Sequence, residues 1–172
     1  FHTMIHNDKL YVSAMNGTFV MDLDTGEFKW LCRNAQNFTI DKEENIWIMI
    51  GTSLIRIKLA DPDNQKKYFL PQYGIQFEPK RIITTNSGDI YFVVLGGGLY
   101  RYDKQSDSFI HYSQRSGHLL SNYCYNVAET NSGELLVTSD KGITFLNPSN
   151  ENTRFVTLGT NLPITSIADG CG

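Results

Sequence analysis

The sequence contains no apolar run that could cross a membrane. Its longest, Ile90 to Leu95, has the length of a strand, far short of the roughly 18 residues a spanning helix needs. An excess of positive charge is also missing: 15 Lys and Arg stand against 18 Asp and Glu, for a net charge of −3. The largest basic cluster is Lys66-Lys67. A nucleic-acid surface needs a clustered basic stripe, so no nucleic-acid partner and no membrane contact by this segment are expected. Cysteine is scarce and odd in number, Cys32, Cys124 and Cys171. The spacing fits no zinc ribbon or CxxC pair, so it leaves the redox compartment open. Cys124 takes the place of a small apolar residue and is expected to be a buried thiol. No stretch of 11 residues or more has helical periodicity. An initiator Met and a signal peptide are absent too. The chain opens Phe1-His2-Thr3 and closes at Gly172 inside what should be a fifth repeat, and both ends read as cuts in a longer protein.

What the sequence does contain is repetition. Ser87-Gly88-Asp89-Ile90-Tyr91-Phe92-Val93 returns as Ser132-Gly133-Glu134-Leu135-Leu136-Val137, with looser copies at Asn7 to Val12 and Glu43 to Ile48. Anchored on Leu10, Ile46, Ile90 and Leu135, the copies step by 36, 44 and 45 residues. A period of about 40–45 residues with several short strands in each unit is the mark of a β-propeller blade. A blade cannot bury its own faces and is stabilised by stacking on its neighbours.

The copies align well beyond their anchors. Gly17, Ser53, Gly98 and Gly142 follow each anchor strand, the third one residue late. Alternating runs come next, Thr18 to Met21, Leu54 to Ile57, Leu99 to Tyr102 and Ile143 to Leu146, and such alternation predicts strands. Turn formers follow at Asp24-Thr25-Gly26, Asp61-Pro62-Asp63-Asn64, Gln105-Ser106-Asp107 and Pro148-Ser149-Asn150. Outer strands are then predicted over Glu27 to Leu31, Lys67 to Leu70, Ser108 to Tyr112 and Thr153 to Leu158. Inner strands precede the anchors at Phe38 to Ile40, Arg81 to Thr84 and Tyr125 to Glu129, and Ile164 to Ala168 opens a fifth unit. The predicted fold is all-β: about four four-stranded antiparallel blades, an arc of a larger propeller. The repeats run approximately over 1–36, 37–79, 80–123 and 124–163, with a fifth beginning at 164–172. Both faces of the anchor strand are apolar (Ile46 and Ile48 on one, Trp47 on the other), as packing between two neighbours requires.

The fourth copy, from Ser121, carries Asn122, Val127, Glu129, Gly133, Leu135, Val137, Gly142-Ile143, Asn147-Pro148 and Phe155 in register. The third carries Gly88, Ile90, Gly98-Leu99, Arg101-Tyr102-Asp103 and Phe109, the second Ile46-Trp47-Ile48 and Arg56, the first Gly17, Asp22 and Thr25-Gly26-Glu27-Phe28. In this pattern the chain resembles the two-component regulator propeller repeat family. It departs from that pattern in replacing the Trp in three copies, and in keeping the following Gly-Thr only as the shifted Gly51-Thr52. The resemblance implies a seven-bladed propeller in the periplasmic, extracytoplasmic sensor region of a Bacteroidetes hybrid histidine kinase. It also implies recognition of glycans or their fragments, and signalling through a change in how two receptor chains sit together.

Other constellations have plainer readings. His2 and His6 are four apart on a segment that reads as strand or turn, with no third metal ligand. His111 and His118 read as surface or packing groups. Gly96-Gly97-Gly98 leads into a strand rather than the helix a phosphate loop requires. Asp61 to Asn64 and Asp22-Leu23-Asp24 lack the Gly and Glu of a calcium loop. Asp41, Glu43 and Glu44 read as solvated charge at a tight turn, with no facing carboxylate for glycoside hydrolysis. No cofactor and no catalytic residue is expected.

Recognition is expected on the rim that carries the outer-to-inner loops and the anchor-to-third turns, where length and composition vary. Tyr73 and Tyr123 would stack on a sugar face; Arg33, Asn34, Gln72, Gln76, His118, Asn122, Asp140 and Lys141 would supply donors and acceptors. The expected partner is an oligosaccharide or other small ligand. Self-association as a dimer is expected as well, because terminal blades would expose an apolar face. Rival readings are a propeller-fold polysaccharide lyase or hydrolase, and a propeller scaffold for protein partners.

Overall fold

A computed structural model describes residues 2–157, which form four four-stranded antiparallel sheets, each with its strands in chain order. Sheet I holds β1 (His2–His6), β2 (Lys9–Ala14), β3 (Gly17–Asp22) and β4 (Phe28–Arg33). Sheet II holds β5 (Asn37–Ile40), β6 (Asn45–Ile50), β7 (Ser53–Lys58) and β8 (Asp61–Phe69). A 3-10 turn over Leu70–Tyr73 follows. Sheet III holds β9 (Pro79–Thr84), β10 (Ile90–Val94), β11 (Gly98–Asp103) and β12 (Ser108–Tyr112). Sheet IV holds β13 (Cys124–Glu129), β14 (Leu135–Ser139), β15 (Gly142–Leu146) and β16 (Thr153–Thr157). The chain divides between Leu70 and Pro71 into two compact units of two sheets each. The predicted fifth inner strand, Ile164 to Ala168, lies outside the described residues.

In the first unit, Tyr11 and Val20 of sheet I share one core with Phe38, Ile40, Ile46, Ile48 and Ile57 of sheet II. The alternation of β2 and β6 accounts for this, since side chains two apart share a face. Trp47 takes the opposite face of β6, where it stacks on Tyr68 at 5.6 Å with Arg56 over its ring. In the second unit, Tyr91, Val93, Leu99 and Tyr112 of sheet III pack with Cys124, Val127, Leu135 and Val137 of sheet IV. Every residue of β10 is buried, as the two-faced apolar pattern predicts.

One turn design recurs between inner and anchor strands. The amides of Asp41, Thr85 and Thr130 donate to the carbonyls of Asn45, Asp89 and Glu134, and the carbonyls of Asp41, Thr85 and Thr130 accept from Glu44, Gly88 and Gly133. The last three residues all have positive φ, 59°, 98° and 80°. The residue that opens each turn also braces it with its side chain: Asp41 Oδ1 accepts from the Glu43 and Asn45 amides, and Thr85 Oγ1 and Thr130 Oγ1 accept from the Asp89 and Glu134 amides.

The structure corrects two local expectations. The segment Asp61 to Asn64, expected to be a turn before a strand starting at Lys67, lies within β8. The register there jumps from Ile57↔Gln65 to Lys58↔Asp61, so Pro62-Asp63-Asn64 bulge from a continuous strand. The carboxylates at Asp41 and Glu44 are also more than solvated charge. Asp41 organises its turn, and Glu44 meets His6 Nε2 at 2.9 Å and accepts from Asn7 Nδ2 at 3.2 Å.

Candidate functional site

The second unit draws part of the expected site together at one end of sheets III and IV. The long loop from β12 to β13, residues 113–123, crosses the β10–β11 and β14–β15 turns. Gly98 N donates to Asn122 O at 3.0 Å, Asp140 N donates to Tyr123 O at 3.3 Å, and Leu95 bridges Tyr123. Asn122, Tyr123, Asp140 and Lys141 therefore belong to one loop cluster, and His118 stands earlier on the same loop. Both inner strands are irregular at this end, with register shifts at Val93/Val94 opposite Pro79–Arg81 and at Cys124/Asn126. Such bulges re-aim side chains at sheet ends.

Within the cluster the side chains divide by role. Asn122 Oδ1 accepts from the Gln114 amide at 2.7 Å. His118 Nδ1 lies 2.9 Å from Ser116 Oγ, its Nε2 faces Glu151 at 3.6 Å, and its ring packs edge-on to Tyr112. Both residues fasten the loop. Tyr123 is 57% exposed and Lys141 is exposed, so a ring face and an ammonium group remain open to a ligand. Asp140 Oδ1 is buried and accepts no hydrogen bond, and the same holds for Thr138 Oγ1 two residues earlier. Buried polar atoms are rarely left unsatisfied. Burial first, and the Asp140 carboxylate second, push the Cys124 thiol up to about 12.

The remaining expected residues do not join this cluster. Tyr73 sits on the 3-10 turn and packs edge-on to Phe109 at 5.0 Å. Phe109 pairs with Tyr102, three residues along from the Leu99–Tyr112 pair, which is about 10 Å of strand. Gln72 and Gln76 are exposed beside it. Arg33 and Asn34 belong to the first unit, where Arg33 ends β4 and Asn34 follows it. There the Asn34 amide donates to Asn16 O at 3.1 Å and Arg33 lies over the Trp30 ring. Sequence reasoning missed Thr138 and Gly96. The late glycine of the third copy signals the extra residue in the β10–β11 turn, where Gly96 lies against the Tyr123 ring. Among the described residues no group of His, Cys, Asp or Glu is placed to hold a metal ion, and no helix is long and apolar enough to cross a membrane.

No family model and no curated protein matches the chain. Solved structures do. The extracellular domain assigned to a hybrid two-component system of B. thetaiotaomicron superposes with a TM-score of 0.76 at 18% identity, over 96% of this chain and 23% of that one. The fold is a β-propeller fold. A second such extracellular domain from B. thetaiotaomicron gives a TM-score of 0.68 at 12% identity, over 86% of this chain and 22% of its own. Virginiamycin B lyase from Staphylococcus aureus gives 0.71 at 16% identity, over 92% of this chain and 55% of the lyase. The chain thus spans under a quarter of the two extracellular domains, and each of its sheets corresponds to a four-stranded propeller blade. In propeller terms, the cluster around Tyr123 and Asp140 lies where the loop entering the fourth blade meets the turns of the third and fourth.

Proposed function

We propose that this propeller segment belongs to the periplasmic part of a membrane receptor of a hybrid two-component system, and that it takes part in sensing glycans or glycan fragments. The observation that carries the reading is the convergence of an exposed tyrosine ring, a lysine and an unpartnered carboxylate oxygen on the end of two rigid blades. An aromatic face suits the apolar side of a sugar ring, and the carboxylate and ammonium suit its hydroxyls. The likeness to extracellular domains assigned to two-component systems supports the setting, as does the repeat resemblance. Signal transmission would pass through blade packing, which has discrete rather than continuous arrangements.

Calorimetric titration with a panel of plant and host oligosaccharides tests this. Binding by the native chain that is lost in Tyr123→Ala and in Asp140→Asn supports it. Affinity unchanged in both variants, or no binding by any member of the panel, overturns it. The likeness to virginiamycin B lyase keeps an enzymatic reading in play. Cleavage of an acidic polysaccharide by the chain would favour that reading over sensing.

A further inference from the structure

The opposite end of the third and fourth blades carries a cavity that the repeat pattern hides, because its walls are the stereotyped turns. The β9–β10, β13–β14 and β15–β16 turns border a half-open cleft of about 610 Å³, within the volume range of small-molecule sites. Polar residues dominate its lining, Asp89, Glu129, Arg101, Asn86, Ser132 and Asn147 among them, with their carbon atoms supplying a substantial apolar share of the surface.

The walls are fixed before any ligand arrives. Glu129 Oε2 accepts the Asn86 amide at 2.6 Å, tying the fourth blade to the turn of the third. Asp89 Oδ2 accepts Ser87 Oγ at 2.6 Å, and Thr130 Oγ1 lies 2.8 Å from Ser132 Oγ. Arg101 is half-buried beside Asp89 and the phenols of Tyr91 and Tyr112. Its charge is therefore held at one side of the cavity.

The lining chemistry selects among ligand classes. Two carboxylates against one guanidinium disfavour an anion. Pro148 is the one apolar side chain among the lining residues, which include no aromatic ring, so the site offers no ring anchor for an apolar ligand. Carboxylates, amides, hydroxyls and a guanidinium together match a molecule whose groups each donate and accept, which describes a hydroxyl. We propose that this cavity is a second binding site, for a neutral polyhydroxylated molecule of mono- or disaccharide size. It stands apart from the cluster at Tyr123 and holds or fails independently of the receptor reading.

The test is an amide-shift titration of the isotope-labelled chain with D-glucose, D-galactose, myo-inositol and lactose, and separately with calcium chloride. The expected result is saturable movement of the Asn86, Ser87, Ser132 and Ser149 amides with at least one polyol. In Glu129→Gln, which keeps an oxygen for the Asn86 amide, affinity falls about tenfold or more, as loss of a charged acceptor implies. Arg101→Lys, with charge kept and the fork lost, weakens binding likewise, and spectral dispersion verifies that each variant is folded. No movement with any polyol overturns the proposal. So does movement confined to Tyr123 and Lys141, which would instead favour the other rim, or movement with calcium alone. Unchanged affinity in both folded variants overturns it too.

Discussion

The indole Nε1–H of Trp47 donates to Asp41 Oδ2 at 2.7 Å. The same carboxylate accepts from the amides of Glu43 and Asn45 and from Asn45 Nδ2. One side chain therefore closes the turn between β5 and β6 and orients the largest buried ring of the first unit. Asp41→Ala removes the acceptor of the buried indole N–H and the brace of the turn. A loss of about 2–4 kcal/mol is expected, in the range for breaking a partly buried hydrogen-bond network. Asp41→Asn keeps an oxygen for the turn amides and loses less. Urea denaturation followed by Trp47 emission, in a Trp30→Phe background, measures both.

Gly17 and Gly142 occupy the same place in their blades, each at φ +138°. A Cβ at Gly17 would run into the Cys32 carbonyl oxygen, and one at Gly142 into that of Val156. The clash is with the backbone of the paired outer strand, which cannot move without breaking the ladder. Either glycine to Ala should cost about 3 kcal/mol or more, from strain and overpacking together. Gly26 at φ +74° has open space around it, so Gly26→Ala should cost only about 1–2 kcal/mol, the left-handed penalty alone. Equal losses at Gly17 and Gly26 in chemical denaturation would contradict this account.

These two cases mark what the sequence made legible. The glycines and the aliphatic anchors are residues whose identity the fold demands locally, so the strand order and the turn positions could be read directly. The outer strand Ser108 to Tyr112 matches β12, and Thr153 opens β16 as expected. The reach of β8 back to Asp61 could not be read, because a bulge looks like a turn in sequence. Asp41 read as loose charge because its five acceptor contacts depend on the path of the turn. On the rim, Tyr123 and Lys141 are exposed. Asn122 and His118 look the same in sequence, yet their polar atoms hold the loop. The cavity at Arg101 was passed over because its lining comes from turns that repeat.

Two buried groups should make the protein sensitive to alkali. Burial first, and then Asp140, raise the Cys124 thiol from an ordinary 9.0 to about 12. Burial first, and then Tyr91, raise the Tyr112 phenol from 10.0 to about 12. In both cases the folded chain favours the neutral form, so the contribution is complete below the ordinary value and is lost as pH climbs toward about 12. Stability should hold flat up to about pH 9 and fall above it. Cys124→Val adds about one methyl group at a fully buried site, so it should cost about 1–3 kcal/mol at neutral pH and remove the part of the fall that begins at about pH 9. Denaturation midpoints across that range measure it. Burial raises the half-buried Cys32 thiol as well, so both proteins carry Cys32→Ser, and a fall that begins at the same pH in the variant would show that the Cys124 thiol is not responsible.

The first blade has a second face that its partner in the unit leaves open. Strand register places Ile5, Leu10, Met21 and Phe28 in one row across sheet I, and Thr3, Val12, Phe19 and Trp30 in the next. Ile5 is 68% exposed, Phe28 64% and Trp30 43%, and Phe19 stacks edge-on to both of the last two. Apolar faces of this extent mark interaction surfaces in general. The isolated chain should therefore self-associate as its concentration rises, with a second copy covering these rows. Phe28→Lys combined with Trp30→Glu places charge in both rows, at exposed positions where substitution costs little stability, within about 0.5 kcal/mol. Sedimentation velocity should show the native chain shifting to a larger species with concentration while the double variant stays monomeric. A native chain that remains monomeric at high concentration would remove this face as a self-association surface.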